Sequence, residues 1–452
     1  MTDLQLVWFR NDLRTRDHVA LSEAALVGPV VAVYCFCPEQ LAAHDVGGNR
    51  VAFTLAHLRA LSEALGELGI ALRVLEVPAF DAVPEALAAL AGELDVRQLW
   101  FNEEYPVNER RRDDAVAARF AEADIPVTRC TDAVIAAPGT VLTGSGGPYT
   151  VFTPFRRRWT ALFDRAAAQP RARPAAQPPL AVTADAIPAL PGRFTVTADL
   201  DAWAVGEDAA LERLEAFVAE RVLRYEKDRD FPALDGTSAL SPYLSLGVIS
   251  VRTCLDAALA ANEGRLDAGE EGIVTWISEL IWREFYRHVV AAFPHVSRGH
   301  AFRREYDDFP WRDDPGALAA WQEGRTGFPI VDAAMRQLVA TGWMHNRLRM
   351  VTAMFLSKNL LLDWHAGERF FMQHLLDGDF AANNGGWQWS ASTGTDAAPY
   401  FRVFSPISQS ERFDPEGRFI RHWVPELAEL PTRALHDPAR LGAVDGYPEP
   451  VV

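Results

Sequence analysis

Residues 377–406 read DGDFAANNGGWQWSASTGTDAAPYFRVFSP, and the fold of the chain turns on them. The stretch is too rich in Asn, Gly, Ser and Thr for one long helix and too aromatic for a linker. Asn383 and Asn384 run into Gly385 and Gly386, which predicts a turn. Trp387 and Trp389 follow at once. Glycine beside large aromatics implies backbone packed closely against something flat. Two readings are open: a buried loop whose tryptophans fill a core, or a pocket for a planar cofactor and an aromatic substrate.

Upstream, helical patterns dominate. Ile273 to Ala292, Val331 to Thr341 and Asn346 to Leu362 read as helices, the second closed by Gly342. Nine of the thirteen tryptophans fall between Trp276 and Trp423. From Glu207, where Leu211, Leu214, Phe217, Val218 and Val222 share one helical face, the chain reads as all-α. Residues 166–200 are rich in Pro and Ala and read as an extended connector. The N-terminal part alternates short apolar runs (Leu4–Phe9, Val30–Phe36, Leu72–Val77, Gln98–Asn102) with helical stretches (Asn49–Leu68, Val83–Leu90, Asn108–Ala121). That alternation predicts a parallel α/β layer fold, Rossmann-like, yet no G-x-G-x-x-G follows the first strand. The expected division is 1–130, an α/β domain; 131–206, a connector; and 207–452, a helical domain.

With 452 residues, 49% of them hydrophobic, the chain can bury two or three cores. No apolar run is long enough to span a membrane, and Met1–Arg10 is not a signal peptide. Cys35, Cys37, Cys130 and Cys254 are too few and scattered for a disulfide framework or a zinc site. Cys35 and Cys37 share one face of a strand and pack there; a reducing cytoplasm fits. The net charge of −17 counts against general nucleic-acid binding but leaves room for a local basic patch. Lysine occurs only at Lys227 and Lys358, so the positive charge is nearly all arginine, which forks onto phosphate.

Within the helical part, Trp276, Glu279, Arg283 and Arg287 fall on one stripe of a helix, with Trp282 at its border. Glu279 and Arg283 fit an i, i+4 ion pair on a wet surface, or a carboxyl desolvated among aromatics with a raised pKa. Asn346, Arg347, Arg349 and Met350 open a helix, either as capped surface residues or as the lining of a heterocycle and phosphate pocket. Thr237 to Ser241 supply hydroxyls before Pro242, suited to a phosphate or to plain N-capping. Asp377 and Asp379 add paired carboxylates. No Ser/His/Asp order, metal spacing or P-loop competes.

The blocks WISELIWREFYRHV, GFPIVDAAMRQLVATGWMHNRLRM and the opening quotation, with LVWFRNDLRTRDHVAL and RYEKDRDFPALDGTSALSPYLSLGVIS, resemble the signature blocks of the photolyase/cryptochrome family, most closely its class I cyclobutane pyrimidine dimer photolyases. The resemblance spans the chain. It implies an all-α C-terminal FAD-binding domain behind the α/β domain, with FAD contacting Tyr225, Thr237, Ser238, Leu240, Ser241, Trp276, Arg283, Arg349, Asp377 and Asp379, and Asn383 facing flavin N5. It implies a substrate pocket of Glu279, Trp282, Asn346, Arg347, Met350 and Trp389, in which a protonated Glu279 donates to a thymine carbonyl, and an Arg-lined groove near Arg347 and Arg402. Trp387 beside the flavin, then Trp364, then Trp311 near the surface would relay electrons inward to reduce oxidised flavin in light.

The implied activity is light-driven repair of dimers flipped out of UV-damaged DNA; the alternative is a cryptochrome-type blue-light sensor. Asn383, where cryptochromes carry Asp or Cys, and His345-Asn346, where (6-4) photolyases resemble His-His, favour dimer repair, as does the lack of a long C-terminal tail. Asn108 and Glu109 match the family's folate pattern, so methenyltetrahydrofolate is the implied antenna. Ser297-Arg298 stands where some folate-binding members have Cys-Lys, which leaves a deazaflavin at the strand ends as the alternative. A monomer in the bacterial cytoplasm, associated with the nucleoid, completes the expectation.

Overall fold

The computed structural model describes residues 3–400 and 402–452, so Phe401 of the opening stretch lies outside the described residues. Five strands, β1 (Gln5–Phe9), β2 (Val30–Phe36), β3 (Leu72–Glu76), β4 (Gln98–Asn102) and β5 (Val127–Cys130), form one parallel sheet in the order β3-β2-β1-β4-β5. The runs expected as strands are strands because both faces are covered: Leu6, Val31 and Leu99 pack to one side, Val7, Ala32 and Trp100 to the other. Cys35 and Cys37 join the first of those layers, as their spacing implied. β5 escaped the sequence reading because VTRC is short, half-exposed and at the sheet edge. Helices α1 (Val19–Val27), α2 (Gly48–Glu67), α3 (Val83–Glu93) and α4 (Val107–Ala121) cover the two faces. The strand order reverses at β1, which opens a crevice at the carboxyl ends of β1 and β4.

After α5 (Phe152–Leu162), residues 163–206 carry no helix or strand. They are not a loose linker. The Gln177 side chain exchanges hydrogen bonds with both backbone groups of Val30, Asp185 accepts from Arg73 and from Val74 N, and Asn49 accepts from Thr197 N and Ala198 N. The connector is thereby laid along the sheet domain.

The helical half follows with α6 (Glu207–Glu220), α7 (Val251–Ala261), α8 (Glu271–Ala292), α9 (Pro329–Thr341), α10 (Asn346–Met354), α11 (Trp364–His374) and α12 (Phe380–Ala391). Gly342 ends α9 at φ 68°, as expected. The single helix expected over Asn346–Leu362 is instead α10 running into a π-turn at Phe355–Asn359, where Leu360 N reaches back to Phe355 O.

A larger correction concerns the opening stretch. Asn383-Asn384-Gly385-Gly386 is no turn; it lies inside α12, capped by Asp379. The glycines serve close approach rather than reversal. A Cβ on Gly385 would stand 2.3 Å from the Tyr286 ring of α8, and one on Gly367 of α11 would stand 2.1 Å from the Trp387 ring. α12 is therefore the central helix, packed by α8, α10 and α11. Gly367→Ala is expected to destabilise by about 2 kcal/mol despite the better helix propensity of alanine, because the clash falls on a buried indole. Gly386→Ala, with nothing within 4 Å of the added carbon, is expected to be neutral or stabilising. Thermal melts of the two variants check the contrast.

Candidate functional site

Helices α8, α10 and α12 bring the expected residues onto facing walls. Arg349 of α10 donates to Asp377 Oδ2 at 2.8 Å. The other oxygen, Asp377 Oδ1, is buried without a partner, and so is the indole Nε1 of Trp387. Arg287 of α8 meets Asp379 at 2.5 Å, and Asp379 also accepts from Ala382 N to cap α12. Burial pushes the Asp379 carboxyl up, but Arg287 and Arg283 more than offset it and hold it below its ordinary value. Burial first, then the neighbouring Arg287, bring Arg283 down to about 9, still charged at pH 7. Arg283 is held by two carbonyls, Ala133 O and Leu244 O. Two guanidiniums one turn apart, an orphaned carboxylate oxygen and an orphaned indole N–H suit a large polar anion with a heterocyclic head, and FAD has both parts.

The hydroxyl loop stands close by but is partly committed. Ser238 Oγ accepts from Leu240 N, Ser241 Oγ accepts from Trp343 Nε1, and Leu240 itself is core. Tyr225 is buried against Phe217, as is Trp276, whose ring sits 5.0 Å from that of Phe217. Thr237 is half-buried. Asn383 donates to Glu368 O at 3.0 Å, and Asn384 to the Glu368 carboxylate at 2.8 Å.

Glu279 is where the structure corrects the sequence reading most. It pairs neither with Arg283 nor with aromatics alone; its Oε1 takes Arg229 Nη1 at 2.7 Å. The adjacent Asp230 takes Arg347 Nη2 at 2.8 Å, and the Arg347 guanidinium lies 4.5 Å above the Phe413 ring. A chain of alternating charge, Glu279–Arg229–Asp230–Arg347, thus ties α8 to α10. Arg229 and Asp230 were missed from sequence because no spacing rule links Arg229 to Glu279, fifty positions on, or Asp230 to Arg347, farther still. Asn346 is exposed at the start of α10, and Met350 Sδ contacts Arg347. Trp282 has one face covered by Phe152, stacked at 3.7 Å, so only its remaining surface can meet a substrate. Trp389 is half-buried.

Trp387 and Trp364 are buried, and Trp311 is partly exposed against Phe309, a gradient from inside to surface. Trp321, which sequence reading did not single out, packs on Trp387 at 5.9 Å. Arg402 is exposed, its carbonyl accepting from Lys358. Asn108 and Glu109 lie far along the chain from these groups, at the start of α4. There His44, another residue missed from sequence, contacts both: Nε2 at 3.0 Å from Asn108 Nδ2, and Nδ1 at 3.6 Å from Glu109. Burial, then Glu104, push the Glu109 carboxyl up to about 7.

Residues 5–177 match the DNA photolyase family, and residues 276–452 match the FAD binding domain of DNA photolyase. The chain is 46% identical to the deoxyribodipyrimidine photo-lyase of Salmonella typhimurium, over 99% of this chain and 95% of that one. It belongs to the DNA photolyase family.

Among solved structures, a bacterial class III photolyase from Agrobacterium tumefaciens superposes with a TM-score of 0.89 at 34% identity, covering 100% of this chain and 95% of that one. An archaeal photolyase from Sulfolobus tokodaii with two FAD molecules gives 0.80 at 31%, covering 99% and 96%. The expected parallel sheet with a helical FAD-binding region is thus the photolyase architecture, and the walls of α8, α10 and α12 belong to its flavin domain. No helix among the described residues is long and apolar enough to cross a membrane.

Proposed function

We propose that this chain is a light-driven deoxyribodipyrimidine photo-lyase that splits cyclobutane pyrimidine dimers in DNA. The observation that carries the reading is the coincidence of a full-length photo-lyase match with the Glu279–Arg229–Asp230–Arg347 chain on α8 and α10 and with Asp377 and Asp379 at the start of α12, the helix that α8 and α10 pack against. Relatives this similar are named photo-lyases, which favours repair over the sensor reading.

Asp377, Arg349, Asp379 and Arg283 would hold FAD, with Asn383 proposed to face it, and the bound flavin would supply the light-driven electron donation. The protein's own work is to seat the dimer, keep water out and hold protons. Unpairing a damaged base pair costs less than unpairing an intact one, which favours the dimer for flipping. Trp389 and the open side of Trp282 offer flat walls to it. Glu279 and Arg229, in contact at 2.7 Å, together present hydrogen-bonding groups to the edge of a flipped pyrimidine; donation from a protonated Glu279 to a thymine carbonyl is kept as the proposal that the resemblance implies. Arg347 and exposed Arg402 would meet phosphates on an otherwise acidic body.

The division 1–130, 131–206 and 207–452 is retained as the domain proposal. A second chromophore near Asn108, Glu109 and His44 is inferred as methenyltetrahydrofolate, with a deazaflavin in the strand-end crevice as the alternative. A cytoplasmic monomer is proposed.

The test is illumination of the reduced protein with an oligonucleotide carrying one cyclobutane thymine dimer, read by recovery of thymine absorbance. Restoration in light and not in darkness, with a (6-4) oligonucleotide unchanged, is the expected result. A bound, photoreducible flavin without restoration would refute repair.

A further inference from the structure

α11 begins Asp363-Trp364-His365, and these three side chains form one unit. Asp363 caps the helix: its Oδ1 accepts from the His365 backbone N at 3.0 Å and from His365 Nδ1 at 2.8 Å. The same imidazole lies over the Trp364 indole, with centroids 3.8 Å apart and planes 28° from parallel. Trp364 is 1% exposed, so water cannot screen a charge placed on it. One turn on, Gly367 makes room for the Trp387 ring. A titratable ring is therefore stacked on the middle member of the tryptophan series.

We propose that His365 is a tuning residue of the electron relay: a proton on its imidazole opposes positive charge on Trp364, and loss of that proton favours it. The proposal rests on the reading of Trp387, Trp364 and Trp311 as the relay. In that relay Trp387 would give one electron to a light-excited oxidised flavin, Trp364 would refill Trp387, Trp311 would refill Trp364, and a thiol in solution, itself oxidised, would refill Trp311. No bond forms or breaks at Trp364, and the proton of His365 stays where it is during the transfer. An imidazolium in stacking contact repels the transient positive charge. A neutral imidazole removes that repulsion and leaves the Asp363 carboxylate uncompensated, which attracts it. Both changes act in one direction as pH rises.

The groups facing the imidazole are Asp363 at the helix cap, Glu368 on the next turn and the Gly299 carbonyl from the segment packed against it. Burial lowers the imidazole's pKa, but the hydrogen bond and charge of Asp363, with Glu368 and Gly299, outweigh it and hold the group above its ordinary value. The protonated form thus persists towards neutrality. Glu368, pushed up to about 6 by burial, titrates at the acid end of the range measured below and needs its own control.

The experiment follows tryptophan-radical absorbance and flavin photoreduction yield after a flash, in the holoprotein with oxidised flavin, from pH 5.5 to 9. In the native protein the yield is expected to rise about threefold or more with pH. His365→Gln should hold the high value at every pH, His365→Arg the low value, and Glu368→Gln should keep the rise. An unchanged pH profile in His365→Gln would overturn the proposal even if Trp364→Phe abolishes photoreduction. Photoreduction that survives in Trp364→Phe would instead bring down the relay reading, and this inference with it.

Discussion

Asp132→Ala is expected to cost about 3–5 kcal/mol of stability and to loosen the joint between the sheet and helical halves. Asp132 follows the last strand and is gripped from both sides, by Arg14 Nη2 at 2.6 Å and by Arg252 Nη2 at 2.7 Å. Arg14 leaves β1 and Arg252 belongs to α7, so one carboxylate joins two layers. Arg252 also takes Asp17 at 2.9 Å, and all of these side chains are at most 4% exposed. Truncating Asp132 leaves buried Arg14 without a carboxylate partner and Arg252 with Asp17 alone, so less charge offsets the desolvation of the two guanidiniums.

Burial pushes the Asp132 carboxyl up, but Arg14 and Arg252 overwhelm it and hold it far below the ordinary value. A group depressed in the folded state contributes stability above its unfolded pKa, near 4, and loses it as pH falls below that. Native protein should therefore weaken steeply in acid, and Asp132→Asn should show a lower but flatter profile. Urea midpoints at pH 7 and in steps from pH 4 down to about pH 2.5 read both effects. Asp208→Ala, which breaks an exposed pair with Arg16, is the control and should cost under about 1 kcal/mol. Equal losses from the two variants would mean that burial does not set the worth of the Asp132 pair.

The same physics governs what could be read from sequence. β1 to β4 and α8 were legible because burial on both faces, or a long apolar stripe, writes a pattern over many residues. β5 was not, because four half-exposed edge residues write none. The Asn-Gly-Gly run misled because local propensity points to a turn, while its glycines answer to Tyr286 on another helix. Spacing placed Glu279, Arg283 and Arg287 on one side of α8 correctly. It could not say that Arg229, Ala133 and Leu244, or Asp379, would be their partners, since those contacts are made by the fold. His44, Arg229 and His365 were missed for that reason: each gains its character from neighbours the chain brings in from elsewhere or, for His365, from a stack that a helix cap imposes.

Asp377→Ala is expected to weaken FAD binding by about 10- to 100-fold while leaving most of the fold's stability. Asp377 Oδ2 is satisfied by Arg349, but Oδ1 is buried with no donor. A buried acceptor without a partner costs stability, so within the protein alone its removal forfeits only the Arg349 contact. A flavin offers donors, and a hydrogen bond to an ionised acceptor is worth about 1.5–3 kcal/mol, or one to two decades of affinity. Loss of the carboxylate also frees Arg349, a quarter exposed, to swing from the wall it now defines. Asp377→Asn separates the two contributions: it keeps the shape and an acceptor oxygen but not the charge, so it should fall between the native protein and Asp377→Ala. Titration of flavin-stripped protein by fluorescence quenching measures affinity, and a parallel melt measures stability. Native affinity in Asp377→Ala would show that Oδ1 does not face the cofactor and would move the flavin head away from the Arg349 wall; lost affinity with an equally large loss of stability would show that Asp377 holds the fold instead.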